Sequence, residues 1–289
     1  MDERRAPKGA RYCYIIAETE DLVMIRRLIT SKLEALPGKI GFYYKNLVTG
    51  ETWTYHPEEK MIAASVIKLF VMAEAFRQME QGTLDKNHLV RIEKECCVPS
   101  CGAVKYMHDG LEVTVEDLYT LMIILSDNTA TNYMIDMLGI DGVNECIREL
   151  GLEKTSLGRK MFDSEKAALG IQNYICAGDV GTFLEKLYHG EVVSEEASAE
   201  MIRILKDQRL NGKIPFFLHA RDNRPAIAHK TGEDDGTTHD AAIVFANQPF
   251  VLVFCSNDTD VPAYERVMQD ISLMLFRMNS EENDAAGIH

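Results

Sequence analysis

Apolar residues near the start of the chain recur at a helical spacing, at positions 22, 25, 28, 29 and 33. Residues three and four apart share one face of a helix, so the pattern predicts an amphipathic helix over residues 20–35. Pro37 and Gly38 follow and predict its end. Two short β-rich runs, residues 39–44 and 51–55, come next, and the turn residues 47–50 between them predict a hairpin.

The long middle of the chain, from Ala63 to about Leu210, carries mostly helical patterns. Thr114 and Asp117 have the spacing of a capping box, which predicts a helix start at that point. Glycines follow several of the patterns and mark helix ends. The predicted helices run over residues 65–81, 118–125, 129–138, 143–150, 178–188 and 194–205.

Strand patterns return near the C-terminal end, at residues 226–231, 241–246 and 251–255. Asp260 and Pro262 then introduce a final helix, because an N-cap residue followed by proline in the first turn is a helix start. The apolar stripe of that helix, at positions 267, 268, 271, 274 and 275, predicts a face packed on the sheet. A partner-binding face is the alternative.

This order of elements predicts an α/β protein of the α+β type. Strands from both chain ends are expected to share one antiparallel sheet with covering helices, interrupted by an inserted all-helical lobe. We expect an α/β lobe from residues 21–62 and 212–279, a helical lobe from residues 63–211, and tails at 1–20 and 280–289. A catalytic site is expected in the cleft between the lobes.

The chain has a formal net charge of −14, from 45 acidic and 31 basic residues. Nucleic-acid binding needs basic surfaces that neutralise phosphates, so no nucleic-acid partner is expected. No apolar run approaches the roughly 20 residues of a membrane span, so no membrane partner is expected either. The expected partner is a small molecule, no cofactor is expected, and a monomer is favoured.

Seven cysteines stand at positions 13, 96, 97, 101, 146, 176 and 255. An odd number at irregular spacing favours reduced thiols. No C-x-x-C pair or neighbouring histidine completes a ligand set at Cys96, Cys97 and Cys101, so no metal site is predicted. The apolar patch at residues 12–17 is short for a secretion signal. The chain as given is therefore expected to be cytoplasmic, or secreted or periplasmic if a signal peptide was removed.

Three short motifs carry candidate chemistry: Ser65-Val-Ile-Lys68, Ser126-Asp-Asn128 and Lys230-Thr-Gly232. Each has an ordinary structural explanation when taken alone, namely a helix cap, a turn after an apolar helix and a strand end with a turn glycine. The three motifs occur together in order, with their first residues 61 and 104 positions apart, and each falls in a suitable predicted element. This joint occurrence makes the structural explanation improbable.

The first motif has the chemistry of an activated nucleophile. Ser65 and Lys68 stand three residues apart, so their side chains share one face of the predicted helix. A helix N-terminus also stabilises developing negative charge. Buried among Ile67, Leu69 and Phe70, the Lys68 amine loses its proton more easily and can act on Ser65.

The motifs resemble those of the class A β-lactamase family and, more broadly, of the β-lactamase/transpeptidase-like fold, over about residues 21–278. The extended stretches Ser126-Asp-Asn-Thr-Ala130 and His229-Lys-Thr-Gly-Glu233 strengthen the resemblance. It implies that β-lactams or related amides acylate Ser65, that Lys68 activates it, and that Ser126 relays the proton to the leaving nitrogen.

The same resemblance assigns substrate-binding roles. Asn128 would hold the side-chain amide of the substrate, and Lys230 and Thr231, followed by Gly232, its carboxylate. The backbone N–H groups of Ser65 and Glu233 would form the oxyanion hole.

One family motif is missing. Class A enzymes carry Glu-x-x-Leu-Asn in a later loop, and its glutamate activates the deacylating water. Alignment on Arg159 places Met161 at the glutamate position, whereas counting from the flanking motifs places Phe162 there. Asp163 and Glu165 are therefore candidate substitute bases, with solvated loop charges as the alternative.

This gap leaves several activities open. Fast deacylation would make the protein a β-lactamase, and slow deacylation a penicillin-binding-type enzyme. A D-alanyl-D-alanine carboxypeptidase or an amide or ester hydrolase would use the same three motifs. A non-catalytic domain that senses β-lactams is the third alternative.

Overall fold

The fold is given by a computed structural model that describes residues 20–222 and 224–280. Apart from Glu20 and Ser280, the predicted tails lie outside the described residues, as do Cys13 and the apolar patch at 12–17. None of the helices within the described ranges combines the length and apolar character that a bilayer crossing requires.

Strands from the two ends of the sequence build the central sheet. In chain order the strands are β1 (Lys39–Asn46), β2 (Thr52–Tyr55), β3 (Met61–Ile62), β4 (Leu89–Ile92), β5 (Leu111–Thr114), β6 (Tyr174–Ile175), β7 (Ala226–Asp234), β8 (Thr237–Phe245) and β9 (Phe250–Asn257). Five of them form an antiparallel sheet in the order β2-β1-β9-β8-β7. The predicted fold class is confirmed.

Helices surround this sheet and form the inserted segment. They are α1 (Glu20–Glu34), α2 (Lys68–Glu80), α3 (Val115–Ile124), α4 (Asn128–Leu138), α5 (Ile140–Glu149), α6 (Ser164–Ala168), α7 (Ala177–Tyr188), α8 (Glu195–Lys206), α9 (Pro215–Leu218) and α10 (Val261–Asn279). The division of the chain into two lobes stays a prediction.

Side chains at the helix starts explain several of these boundaries. Thr114 accepts a hydrogen bond from the Asp117 N–H at 3.0 Å, and the Asp117 carboxylate accepts one from the Thr114 N–H at 2.8 Å. This reciprocal pair is the predicted capping box. Asp260 caps α10 through the Ala263 N–H at 3.1 Å, with Pro262 in the first turn.

Both faces of the sheet are covered by apolar side chains. On one face, Leu33 of α1 and Leu275 of α10 pack in a cluster with Tyr44 and Phe254. The predicted stripe of α10 belongs to this cluster, so packing on the sheet is confirmed and the partner-binding alternative is wrong. On the other face, Val253 belongs to the larger cluster that includes α2 and α7.

The predicted boundaries differ from the observed ones by up to four residues, and two of the wrong starts have identifiable causes. The α-helix predicted from Ser65 begins at Lys68, because residues Ala64–Ile67 form a 3₁₀ turn. Strand β8 begins at Thr237 instead of residue 241, since buried polar residues replace the expected alternation. Thr238, for example, donates its N–H to Ser256 Oγ at 3.2 Å and its hydroxyl to Glu265 at 3.0 Å.

Candidate active site

The candidate nucleophile Ser65 lies in the 3₁₀ turn that precedes α2. The Ala63 N–H donates to the Asn173 carbonyl at 2.9 Å, and the Ala63 carbonyl accepts from Val66 at 3.1 Å. Ala64 has φ of 42°, which turns the chain sharply before Ser65. Ser65 is half-buried in a cavity wall, and its hydroxyl has no hydrogen-bond partner among the described residues.

Lys68 is completely buried one turn after Ser65. Its Nζ donates to the Ser126 carbonyl at 2.8 Å, to Asn128 Oδ1 at 2.8 Å and to Ser126 Oγ at 3.1 Å. Burial, reinforced by the nearby Lys230 cation, holds the pKa of Lys68 well below its ordinary value. The neutral amine is therefore accessible, as a general base requires.

The second motif is held in place by Asp127. This buried carboxylate caps α4 through the Ala130 N–H at 2.9 Å and accepts the N–H groups of Ala103 and Val104 at 2.7 and 2.8 Å. A Cβ at Gly102 would lie 2.2 Å from the same carboxylate, so only glycine fits there. Asp127 thus ties the backbone at residues 103–104 to the motif.

The third motif lies on β7, beside the nucleophile turn. Lys230 is buried and donates to Ser126 Oγ at 3.0 Å and to the Thr231 carbonyl at 2.8 Å. A Cβ at Gly232 would lie 3.3 Å from the Ser65 backbone nitrogen and 3.1 Å from Val66 Cγ2. Gly232 therefore permits the close approach of strand and turn.

Two lysines therefore flank one hydroxyl, that of Ser126. A third buried lysine, Lys213, binds the Gly232 carbonyl at 3.3 Å and Glu233 at 2.9 Å. Burial and the Lys213 charge lower the pKa of Lys230 to about 7. Lys213 could not be identified from the sequence, because a single lysine without a recognisable motif around it is not distinguished from a surface lysine.

The histidines that flank the third motif join neighbouring strands. His239 Nε2 donates to the Ile62 carbonyl at 2.8 Å, and Nδ1 accepts the Ser256 N–H at 3.1 Å. Burial lowers the pKa of His239 to about 4, which matches this neutral tautomer. His229 contacts the buried Asp240 at 3.0 Å. Neither histidine lines the cavity.

A loop over residues 157–173 contributes several residues to the wall of the cavity. Asn132 of α4 donates to the Met161 carbonyl at 3.0 Å and accepts the Met161 N–H at 2.8 Å, which fixes the backbone of Met161. Arg159 binds Gln172 at 2.8 Å, while Asn173 Oδ1 accepts the Arg159 N–H at 2.9 Å. These contacts connect the beginning of the loop to its end.

The structure separates the two candidate substitute bases. Asp163 lines the cavity, and its Oδ1 also accepts the Lys166 N–H at 3.0 Å as the N-cap of α6. Glu165 is exposed on α6 and does not line the cavity. Met161 lines the cavity and is 9% exposed.

The cavity has a volume of about 620 Å³ and brings Ser65, Ser126, Asn128 and Thr231 together. Glu233 also lines it, whereas Lys68, Lys230 and Gly232 lie behind these residues.

Strained backbone is concentrated around this cavity. Among residues 20–222 and 224–280, seven non-glycine residues have φ in the left-handed region, and four of these line the cavity: Ala64, Ser100, Ser126 and Phe162. Each such conformation costs about 1–3 kcal/mol and persists only where its surroundings enforce it. This concentration is typical of a functional site.

Potential metal ligands lie elsewhere. In the part of the chain that the structure describes, the group with suitable spacing is Glu93, Glu95 and Asp109, whose oxygens lie within 4.8 Å of one another, outside the cavity. The cavity itself offers a hydroxyl beside buried amines, which is the chemistry of nucleophilic attack and proton transfer.

Known proteins share this architecture. A family model described as the β-lactamase enzyme family matches residues 24–278. Beta-lactamase AER-1 of Aeromonas hydrophila is 25% identical over 237 residues, which cover 80% of this chain and 77% of that relative.

Solved structures share the fold of this chain. A β-lactamase from Sphaerobacter thermophilus has a TM-score of 0.80 at 28% identity, covering 87% of this chain and 95% of that one. PBP-A has a TM-score of 0.79 at 24% identity, covering 89% of this chain and 96% of its own. The family match includes all three motifs.

Proposed function

Because the chain belongs to the β-lactamase enzyme family, we propose that it is a serine hydrolase in which β-lactams or related amides acylate Ser65. The observation that carries the proposal is the position of Ser65 in a cavity wall, one turn before a buried lysine whose pKa is lowered. Such an amine can take a proton from a hydroxyl at neutral pH.

In the acylation step, Ser65 Oγ attacks the amide carbonyl carbon while its proton passes to the Lys68 amine. The C–N bond then breaks, and a proton reaches the leaving nitrogen through Ser126. The contacts of both lysines with Ser126 Oγ, at 3.1 and 3.0 Å, support this relay. The product is an ester on Ser65 and an amine, which is released from an open-chain amide but stays attached to the acyl group when a β-lactam ring opens.

Substrate binding follows from the cavity walls. Asn128, on one wall, would hold the amide of the acyl group. Thr231 and the Lys230 cation behind it would hold a carboxylate. The proximity of the Ser65 backbone nitrogen to β7 supports an oxyanion hole formed by the N–H groups of Ser65 and Glu233.

Hydrolysis of the ester needs a water activated by a base. The family resemblance places a glutamate at Met161 or at Phe162, both of which line the cavity, and neither a thioether nor a phenyl ring accepts a proton at neutral pH. Asp163 is the better of the two substitute bases because it lines the cavity, but its Oδ1 already caps α6. We therefore propose that the acyl-enzyme forms readily and breaks down slowly.

The second candidate function is that of a penicillin-binding-type enzyme. Slow hydrolysis of the acyl-enzyme favours it over efficient β-lactamase turnover. The supporting observation is that Met161 is buried and its backbone is fixed by Asn132. A reorientation of the Met161 backbone that would bring Asp163 forward is therefore opposed by two hydrogen bonds.

The proposal is tested by mixing the protein with benzylpenicillin and following intact mass from seconds to hours. We expect a stoichiometric adduct on Ser65 that persists over many minutes. Ser65→Ala is expected to give no adduct. Ser100→Ala, which removes another hydroxyl from the cavity wall, serves as the matched control and should still be labelled.

Two outcomes would contradict the proposal. A covalent adduct on Ser65→Ala would exclude Ser65 as the nucleophile. An adduct that clears within seconds while hydrolysed penicillin accumulates would instead show an efficient β-lactamase, and Asp163→Asn would then be the next variant to examine.

A further inference from the structure

We propose that Asp234 and Asp235 make the cavity selective for amides whose acyl group carries an ammonium. The inference rests on the proposed function, since it concerns which substrates reach Ser65. Both residues stand at the end of β7, directly after the third motif, and line the same cavity as Ser65.

The cavity wall carries an excess of negative charge. Four carboxylates line it, those of Asp163, Glu233, Asp234 and Asp235, against one cation among the described lining residues, Arg159. The Arg159 guanidinium is already engaged by Gln172 and by the Lys160 carbonyl.

The two aspartates differ from their neighbour in being free of a cation. Glu233 is paired with Lys213 at 2.9 Å. Asp234 and Asp235 are exposed, and neither forms an ion pair within the described residues. The Asp235 N–H donates to Asp234 Oδ1 at 2.9 Å. This backbone amide is neutral, so the negative charges of the two carboxylates are not cancelled by a cation.

An aromatic ring adds a second feature that suits a cation. Phe162 lines the same cavity and is 51% exposed, although its left-handed φ of 60° is unfavourable for a bulky residue. An aromatic face attracts ammonium groups, as carboxylates do. The ring and the two carboxylates, all in the lining of one cavity, therefore offer the same preference.

The two ends of a β-lactam would then meet different charges. Its carboxylate would lie against Thr231 and the Lys230 cation, deep in the cavity. Its acyl group would extend past Asn128 towards Phe162, Asp234 and Asp235. An ammonium on that group gains attraction there, whereas a second carboxylate is repelled.

A matched series of three penicillins tests this arrangement. It consists of benzylpenicillin and its two derivatives that carry an amino or a carboxyl group on the side-chain carbon between the phenyl ring and the amide carbonyl. At pH 6.5 the amino group is charged and the carboxyl group is ionised. We expect the second-order rate constant of Ser65 acylation to fall in the order amino, unsubstituted, carboxyl. Between the extremes we expect about a tenfold difference at low salt, from two exposed charge interactions.

The ratio between amino and carboxyl derivatives is the decisive quantity. Asp234→Asn/Asp235→Asn should reduce it to about twofold, and added salt should reduce it in the unmodified protein because exposed charges are screened. The control Glu34→Gln/Glu191→Gln removes two exposed carboxylates that do not line the cavity, and should keep the ratio.

An unchanged ratio in Asp234→Asn/Asp235→Asn, with benzylpenicillin still acylating Ser65, would overturn the inference and leave the proposed function intact. Equal acylation rates for all three penicillins in the unmodified protein would also overturn the inference and leave the proposed function intact. If none of the three labels Ser65, the proposed function fails and the inference fails with it.

Discussion

Met161→Glu should convert a long-lived acyl-enzyme into one that turns over. Asn132 fixes the backbone of residue 161 through two hydrogen bonds of 3.0 and 2.8 Å, and these bonds do not involve the side chain. Glutamate and methionine side chains have similar lengths. A carboxylate at position 161 would therefore occupy the same part of the cavity wall, where it can reach a water beside the Ser65 ester.

The magnitude follows from two opposing effects. A positioned general base contributes about 10²–10⁴-fold in rate, or roughly 3–5 kcal/mol of barrier at 1.36 kcal/mol per factor of ten. The side chain of Met161 is only 9% exposed, however, so burial would raise the pKa of the new carboxyl and reduce its ionised fraction. We therefore expect the lower end, about 100-fold faster breakdown.

The assay uses enzyme acylated with benzylpenicillin and freed of excess drug, and follows the loss of adduct by intact mass. Met161→Gln is the matched control, because its side chain has the shape of glutamate but no basic oxygen at neutral pH. Phe162→Glu tests the alternative alignment. Met161→Glu should lose the adduct about 100 times faster than the other two variants.

A Met161→Glu variant that folds, becomes acylated and keeps its adduct as long as Met161→Gln would refute the role assigned to position 161. Faster breakdown in Phe162→Glu alone would show that residue 162, whose side chain also lines the cavity, is the position that lacks the base.

Two further predictions concern the third motif. Gly232→Ala should slow acylation by about 10–100-fold, because the new methyl would lie 3.0 Å from His239 Cδ2 and 3.3 Å from the Ser65 nitrogen and displace the nucleophile turn. Rapid-quench mass spectrometry measures this, and an unchanged rate would show that the turn has room to move. The contribution of Lys230 to the free energy of unfolding should rise between about pH 7 and 10, since the pKa of Lys230 falls from 10.5 to about 7 on folding and this residue binds more protons in the unfolded chain there. Lys230 contributes up to about 1.4 kcal/mol per pH unit, so urea titrations should show a smaller slope for Lys230→Met, and an equal slope would contradict the lowered pKa.

Local sequence signals were sufficient for most of the fold. Periodic apolar positions and helix caps such as Thr114 and Asp260 act within a few residues, so they can be read without the tertiary structure. The start of α2 was wrong because a 3₁₀ turn and an α-helix share the same apolar pattern over one turn. Elements as short as α6 and β3 have no detectable period.

The three motifs predicted which residues line or support the cavity, because the sequence carries their residue types at readable spacings. It did not predict the residues that position them. Lys213 reaches Gly232, and Asn132 fixes Met161 over 29 positions, through contacts set only by the folded chain. Asn132 had no distinguishing signal, because the first turn of α4 contains other polar residues, among them Asn128, Thr129 and Thr131.

The pairing of β1 with β9 has a consequence for synthesis on the ribosome. Lys39 lies opposite Asn257, so β1 has no neighbour on that edge until more than 200 further residues have been made. During that interval the exposed edge of β1 and its hairpin is available for incorrect pairing with other nascent chains. Contacts so distant in sequence also slow folding. A chaperone that covers β1 during elongation should therefore increase the yield of active protein more than one that acts after release.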